Sequence, residues 1–154
     1  MPDPTQGLTI GRPAVQMAFA CEMISNDLAG RISFQTLMDG LAATTFPATT
    51  AQLFVVFSFL SQVPKIVVNC RIVIEGERGE VIAEAKVKDL AFTADTQVAR
   101  NVVGFQGVTW PQPGRYIVKF YGNANDVLAY FPLLVQQAPG APNVPGSPGG
   151  GMQR

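Results

Sequence analysis

Short runs of alternating apolar and polar residues, separated by turn-forming residues, recur along most of this chain. In VQMAFACE (15–22), one face carries Val15, Met17, Phe19 and Cys21. A repeat of two is the mark of a half-buried β-strand, because successive side chains of a strand point to opposite faces. The alternation therefore predicts an all-β protein. We expect this first strand to offer an edge to which another strand can be added.

The middle of the chain contains the most apolar runs. QLFVVFSFL (52–60) is apolar on both faces, which is typical of a central strand covered on both sides. The runs 65–75 and 80–88 flank the turn GERG (76–79), so they are predicted to form a hairpin. In the first of these runs the side chains predicted to point inward are Ile66, Val68, Cys70, Ile72 and Ile74.

The segment RISFQTLMDGLAATTF (31–46) is compatible with a short helix or a strand. Its threonines and its glycine favour a strand that bends near Asp39-Gly40 and ends at Phe46-Pro47. DLAFTADT (89–96) is interpreted as a connection between strands, and QVARNVVGFQGVTW (97–110) as a further strand.

The run 113–135 begins with the turn Pro113-Gly114 and reads as the last hairpin. Pro132 has no N–H to donate to a ladder, so the final strand is expected to pair on one side only at that point. Together the runs predict an antiparallel β-sandwich of about eight strands.

Changes in composition define the predicted boundaries of the sandwich domain, 14–136. The Pro/Gly-rich segment 137–154 has no apolar periodicity, so we expect a disordered tail there. Residues 1–13 are expected to form a flexible arm. The N-terminus carries no basic segment followed by an apolar one, and no apolar run is long enough to span a bilayer. A cytoplasmic location without membrane contact is the resulting expectation.

Five short motifs follow one another along the chain: Cys21-Glu22, Gly30-Arg31-Ile32-Ser33, Phe46-Pro47-Ala48, the loop 76–79, and Pro113-Gly114 with Tyr116. As an ordered set they resemble an uncharacterised family of small bacterial β-sandwich domains, a domain of unknown function. The resemblance covers residues 17–135 and implies a sandwich of immunoglobulin-like appearance. It implies no activity and transfers no functional residue. The chain departs from the pattern in having Met23 where a second acid is usual, and a longer segment before Phe46.

The residue content excludes several classes of chemistry. The chain has no histidine, which rules out histidine-dependent nucleophilic catalysis and imidazole-ligated zinc. No glycine-rich phosphate-binding motif is present, so no cofactor is expected. Lysine plus arginine and aspartate plus glutamate number 11 each, so binding to nucleic acid is not expected.

Carboxylates near predicted strand ends are the candidates for an alternative ligand site. Glu22, Asp27 and Asp39 offer oxygen ligands of the kind that calcium prefers, although their spacing matches no calcium-binding loop, so no metal site is predicted. The glutamates around the turn 76–79 are interpreted as a solvated hairpin. A sugar-stacking platform is a further alternative, with Trp110, Tyr121 and Tyr130 as its aromatic side chains.

Only 14% of the residues are charged, which is too few to cover the surface of the domain with charged side chains. Part of the exposed apolar area is therefore expected to contact a partner. We therefore expect a non-enzymatic protein-interaction or assembly module, with self-association or another protein as the partner. The alternative is a small carbohydrate- or apolar-ligand-binding sandwich, to which weak hydrolytic activity through Glu22 or Asp39 could be added.

Overall fold

Eleven β-strands and one short 3-10 helix make up the regular structure of residues 12–139, the part of the chain that the computed structural model describes. The strands are β1 (Ala14–Asn26), β2 (Ile32–Met38), β3 (Gly40–Ala43), β4 (Ala48–Leu60), β5 (Lys65–Val67), β6 (Arg71–Glu75), β7 (Val81–Lys86), β8 (Leu90–Phe92), β9 (Val98–Trp110), β10 (Gly114–Tyr121) and β11 (Val127–Gln137). The prediction of an all-β protein is confirmed, with eleven strands in the described residues where about eight were expected.

The strands form three sheets. The four-stranded sheet has the order β2-β1-β4-β9, and the five-stranded sheet has the order β3-β11-β10-β6-β7. A small third sheet pairs β5 with β8. β4 is paired on both sides, as its apolar sequence predicts. One pair departs from the antiparallel expectation, because β3 runs parallel to β11.

The two larger sheets pack face to face through aromatic rings. The ring centroid of Phe57 on β4 lies 5.3 Å from that of Phe120 on β10 and 5.5 Å from that of Phe131 on β11. Trp110 and Tyr116 make a second contact between the sheets, with ring centroids 4.9 Å apart. Alternation on β4 directs Phe57 into this core because its odd-numbered neighbours share one face.

β1 contributes its small side chains to this core. Ala20 is fully buried between the sheets, and Ala18 packs against the same cluster. By alternation Phe19 and Cys21 therefore point to the other, outer face of the four-stranded sheet. The apolar face that the sequence pattern identifies is real, but it does not face the core between the sheets.

Two local predictions in the middle of the chain are wrong. The run 65–75 is two strands rather than one, because Asn69 adopts a left-handed conformation with φ 56° between β5 and β6. Ile66 consequently points outward and is 64% exposed, and Val68 is also exposed. Part of 89–96, interpreted as a connection, forms β8 and pairs with β5.

The segment 31–46 turns where the sequence predicts. β2 ends at Met38 and β3 begins at Gly40, so the chain leaves the four-stranded sheet at Asp39 and joins the five-stranded one. Gly40 lies so close to β11 that a Cβ atom at this position would overlap the carbonyl oxygen of Leu134. A glycine is therefore required for β3 to pair with β11.

At both ends of the described chain, ordered contacts extend beyond the predicted domain boundaries. Arg12, expected in a flexible arm, pairs with Asp126 and donates to the carbonyl oxygen of Val127 at 2.8 Å. Gln137, expected in the tail, belongs to β11. The rest of the predicted arm and the tail from residue 140 lie outside the described residues. No helix long and apolar enough to cross a bilayer occurs between residues 12 and 139.

Pro132 lies where β11 pairs with β10 alone, opposite Ile117. The parallel pairing with β3 starts only at Leu134. The expectation that the last strand pairs on one side at Pro132 is confirmed.

Candidate interaction surface

The hairpin of β1 and β2 bends back over the outer face of the four-stranded sheet. Phe34 of β2 is opposite Ile24 of β1, five residues from Phe19. Five residues of straight strand cover about 16 Å at roughly 3.3 Å per residue. The ring centroids of Phe19 and Phe34 are nevertheless only 5.0 Å apart in an edge-to-face contact. The distal half of the hairpin must therefore fold onto the outer face to which Phe19 points.

The bend lies at Glu22 and Thr36, which face each other across the hairpin. The regular pairs stop at Cys21–Leu37 and resume at Met23–Gln35. Thr36 has φ 58°, a left-handed conformation that breaks the strand and redirects the chain.

The tip of the hairpin reaches the far edge of the sheet. Ile32, the first residue of β2, lines a groove together with Arg100 and Val102 of β9. β9 is three strands from β2 in the order of the sheet, so the hairpin must extend across the outer face for Ile32 to line the same groove as β9. The chain near the tip and the edge strand β9 thus share one surface.

Side chains beneath the hairpin are buried although they lie on the outer face. Val56 and Cys21 are both fully buried. Burial raises the pKa of the Cys21 thiol, and the Cys21 Sγ–H lies 3.6 Å from the carbonyl oxygen of Met23. Both cysteines are free and buried, and burial likewise raises the pKa of Cys70. The arrangement favours a packing role for both thiols over a reactive one.

Several apolar side chains of the hairpin are exposed. Met23 is 54% exposed, Leu37 is 66% exposed and Leu28 at the tip is fully exposed. β2 itself, ISFQTLM, carries no charged residue. Its outer edge makes no backbone pair in the described part of the chain, because β2 pairs with β1 alone. An uncharged strand with a free edge is the kind of surface that accepts a further strand.

The edge that we expected on β1 is unpaired over only part of that strand, because residues 14–19 pair with β4 alone. We expected β1 to be available, but β1 pairs with β4 along one side and, from Ala20 onward, with β2 along the other. The reason is that 31–38 returns beside β1 before the chain leaves the sheet. From Ala20 onward, the unpaired edge of the sheet is therefore that of β2.

The three candidate carboxylates lie along this hairpin but do not meet. Glu22 is exposed at the bend, and Asp39 is exposed after β2. Asp27 closes the turn at the tip by accepting from the Ala29 and Arg31 amides at 2.9 and 2.8 Å. The amide and the guanidinium of Arg31 lower the pKa of Asp27. Among residues 12–139, no three acidic or cysteine side chains are close enough together to hold a metal ion.

A second polar cluster lies on the outer face of the five-stranded sheet. Glu75 accepts a hydrogen bond from Lys119 Nζ at 2.9 Å and from the Tyr121 hydroxyl at 2.6 Å. Burial alone raises the pKa of Glu75, but these two hydrogen bonds and the charges of Lys119 and Arg71 outweigh it, so the pKa is lower than usual. The hydrogen bond to Glu75 raises the pKa values of Lys119 and Tyr121. The carboxylate is thus held ionised with its oxygens occupied, which does not suit a proton donor.

An open groove of about 980 Å³ adjoins Glu75 and Lys119. Tyr130 lines it and is 63% exposed, so this ring can contact a ligand. Trp110, in contrast, is fully buried and donates its indole N–H to Thr50 Oγ1 at 2.8 Å. Tyr121 is covered by the Arg71 guanidinium, 4.2 Å from the ring centroid. Of the three aromatic residues proposed for a sugar platform, only Tyr130 is free to take part.

Residues 16–136 match a family of unknown function, DUF6941. The chain belongs to this family. The family expected from the ordered motifs is thereby confirmed as one without a known activity, over nearly the same residues. No curated protein matches the chain.

Two solved structures are similar to this DUF6941 chain at low sequence identity. An alkylpurine DNA glycosylase AlkC of Pseudomonas fluorescens, bound to DNA containing an abasic site analog, is 12% identical with a TM-score of 0.50. The match covers 82% of this chain and 31% of that one. A β-glucuronidase of Bifidobacterium dentium, complexed with coumarin-3-O-glucuronide, is 12% identical with a TM-score of 0.36. That match covers 79% of this chain and 17% of the β-glucuronidase chain. The chain spans less than a third of either protein, and the AlkC likeness concerns the fold alone.

The exposed surface of the β1–β2 hairpin was not predicted, because the alternation of apolar and polar residues does not reveal a bend in a strand. The signal that was available is the lack of charge in ISFQTLM combined with Asn26, Asp27 and Gly30 just before it. The turn residues mark a hairpin tip, and an uncharged returning strand marks an edge without protection.

Proposed function

We propose that this chain is a non-enzymatic protein-interaction module, an immunoglobulin-like sandwich that acts in the cytoplasm and binds a protein through the β1–β2 hairpin. The observation that carries this proposal is the free, uncharged edge of β2. A strand laid beside β2 gains main-chain hydrogen bonds, and its side chains gain contact with Leu37 and Ile32.

β2 lacks the charged and proline side chains that normally protect an edge, although the bend at Thr36 interrupts the strand. Natural edge strands carry lysine, proline or inward-pointing charges that block a further strand. Among the other edge strands of the two larger sheets, β7 and its flanks have such protection, since Glu80, Glu84 and Lys86 lie along them. This contrast favours β2 over β7 as the edge used for binding.

A second copy of the chain is the partner that we propose to test first. Two β2 strands related by a two-fold axis pair antiparallel with the same residues on both sides, as in most closed dimers. The formal net charge is zero, so no long-range repulsion opposes the approach of two copies.

A charge placed on the β2 edge should therefore weaken self-association. We expect Gln35→Lys to raise the dimer dissociation constant by about ten-fold or more, because pairing would bring two added lysines together. Light scattering of the full chain over a range of concentrations measures this constant.

The matched control is Gln52→Lys, an exposed position on β4 that pairs with Gln106 of β9 and lies outside the β1–β2 hairpin. Association of the unaltered chain and of Gln52→Lys, but not of Gln35→Lys, is the expected pattern. If the unaltered chain stays monomeric at all concentrations, self-association is rejected as the binding mode.

Binding of a carbohydrate or an apolar ligand is the second candidate function, favoured by exposed Tyr130 beside Glu75 and Lys119. Sugars stack on exposed aromatic rings and hydrogen-bond to nearby charged groups. We expect Tyr130→Ala to abolish binding of a neutral oligosaccharide in a calorimetric titration, and Leu134→Ala on the same strand to leave it unchanged. If a panel of neutral oligosaccharides gives no saturable heat with the unaltered chain, this candidate is rejected.

A further inference from the structure

A groove at the open side of the molecule is lined by three basic residues. Lys86 and Lys88 belong to β7 and the residues after it, whereas Arg100 belongs to the edge strand β9. Ile32 from the hairpin tip completes the rim. This groove shares no lining residue with the groove beside Tyr130. It shares only Ile32 with the β2 edge.

No carboxylate lines this groove. The ion pairs found within the described chain engage other cations, namely Arg12, Arg31, Arg71 and Lys119. Glu84, two residues before Lys86, is paired with Arg71 at 3.5 Å. Lys86, Lys88 and Arg100 therefore bring three positive charges to one place with no acidic side chain lining it, although the whole chain is neutral.

Arg100 provides a second, independent observation. Its Nε atom is buried and has no hydrogen-bond partner in the described part of the protein. The residue opposite Arg100 on β4 is Ser58, whose hydroxyl donates to Gln16 Oε1 at 2.7 Å. None of the ion pairs found in the described chain involves Arg100, so an anion bound to its guanidinium group would supply the missing counter-charge.

The backbone fixes the lysines relative to Arg100. Asn101, which is almost fully buried, directs its side-chain N–H₂ to the carbonyl oxygen of Lys88 at 3.5 Å. The Val87 amide donates to the carbonyl oxygen of Cys70 at 3.1 Å. The chain carrying both lysines is thus anchored to β9 on one side and to the start of β6 on the other. Preorganised cations lose less free energy on binding than mobile ones.

We propose that this groove binds the phosphate group of a small molecule, either inorganic phosphate or a phosphomonoester. Phosphate presents several acceptor oxygens and up to two negative charges, which matches two ammonium groups and one guanidinium. The apolar rim formed by Ile32, Val87 and Val102 lowers the local dielectric and strengthens these contacts. It also gives an organic substituent an apolar surface to contact, so a phosphomonoester is expected to bind more tightly than inorganic phosphate.

The test uses the full chain with inorganic phosphate and with phenyl phosphate, each titrated at constant ionic strength against chloride. Chemical shifts of the backbone amides report the site and the affinity. We expect saturable shifts centred on 86–88 and 100–103, and tighter binding of phenyl phosphate. If both ligands saturate the site with equal affinity, the phosphate site is supported and the contribution of the apolar rim is rejected.

Lys88→Gln should weaken binding by about ten-fold, the loss expected for one charge-assisted hydrogen bond. Lys88 is exposed, so this change leaves the core intact. Arg78→Gln, at the exposed β6–β7 turn, is the matched control and should leave the affinity unchanged. An absence of saturation with the unaltered chain, or an equal loss in Lys88→Gln and Arg78→Gln, overturns the proposal.

Discussion

Phe57→Ala is expected to lower the free energy of unfolding by about 3–5 kcal/mol, the loss typical of removing a buried aromatic ring. Phe57 is fully buried at the centre of the contact between the two larger sheets. Its ring touches those of Phe120 and Phe131, which lie on two different strands of the opposite sheet. Truncation therefore leaves a cavity that the rigid sheets fill only in part.

Denaturant unfolding followed by tryptophan fluorescence measures this loss, since Trp110 is buried between the same sheets. Leu60→Ala is the control, because Leu60 lies on the same strand but is 37% exposed. We expect the control to lose less than about 1.5 kcal/mol. A loss in Phe57→Ala no larger than in Leu60→Ala would contradict the description of the core.

Gly40→Ala is expected to lower the free energy of unfolding by about 1–3 kcal/mol, the usual cost of overpacking. The added Cβ would overlap the carbonyl oxygen of Leu134, which belongs to the backbone and cannot rotate away. β3 must then move off β11, with loss of the parallel pairs from Leu134 to Gln137. The change thus acts on strand pairing rather than on the aromatic core.

Gly104→Ala separates this effect from the ordinary cost of changing a glycine in a strand. A Cβ at Gly104 meets the Cε1 atom of Phe54 at 3.0 Å, at the edge of a half-exposed ring that can turn aside. We therefore expect little change in the midpoint of thermal unfolding for Gly104→Ala and a clear decrease for Gly40→Ala. Equal decreases would show that close approach to Leu134 is not what requires the glycine.

Strand identity was predictable wherever side-chain alternation and turn residues agreed. The turn at 76–79, the inward Tyr116, Val118 and Phe120, and the central position of β4 all follow from those two signals. The bend at Asp39-Gly40 was also predictable, because a turn-forming pair interrupts an apolar run.

The failures have one physical cause: a single residue can change direction without changing the apolar pattern. Asn69 and Thr36 both adopt positive φ, and neither is a glycine that would have signalled it. At Asn69 the strand splits and Ile66 is turned outward. At Thr36 the hairpin folds over Phe19 and creates a surface that alternation assigns to the core.

The candidate sites depend still more on tertiary structure. Lys86, Lys88 and Arg100 are ordinary surface residues in the sequence, and only the packing of β9 beside β7 brings them together. Glu22, Asp27 and Asp39 were chosen because they lie near strand ends, yet the long hairpin separates Asp27 at its tip from the other two. The sequence pattern does not show how far apart a bent hairpin places these carboxylates.

The position of β4 in the sheet has a consequence for how the chain is made on the ribosome. The segment 53–60 is strongly apolar and needs both β9, which begins at Val98, and the opposite sheet to cover it. At about 5–20 residues synthesised per second, it emerges several seconds before those partners do. During that time a nascent strand of high β-propensity is exposed with one neighbour, β1, available to pair. We expect this interval to be the step at which newly made chains most need a chaperone.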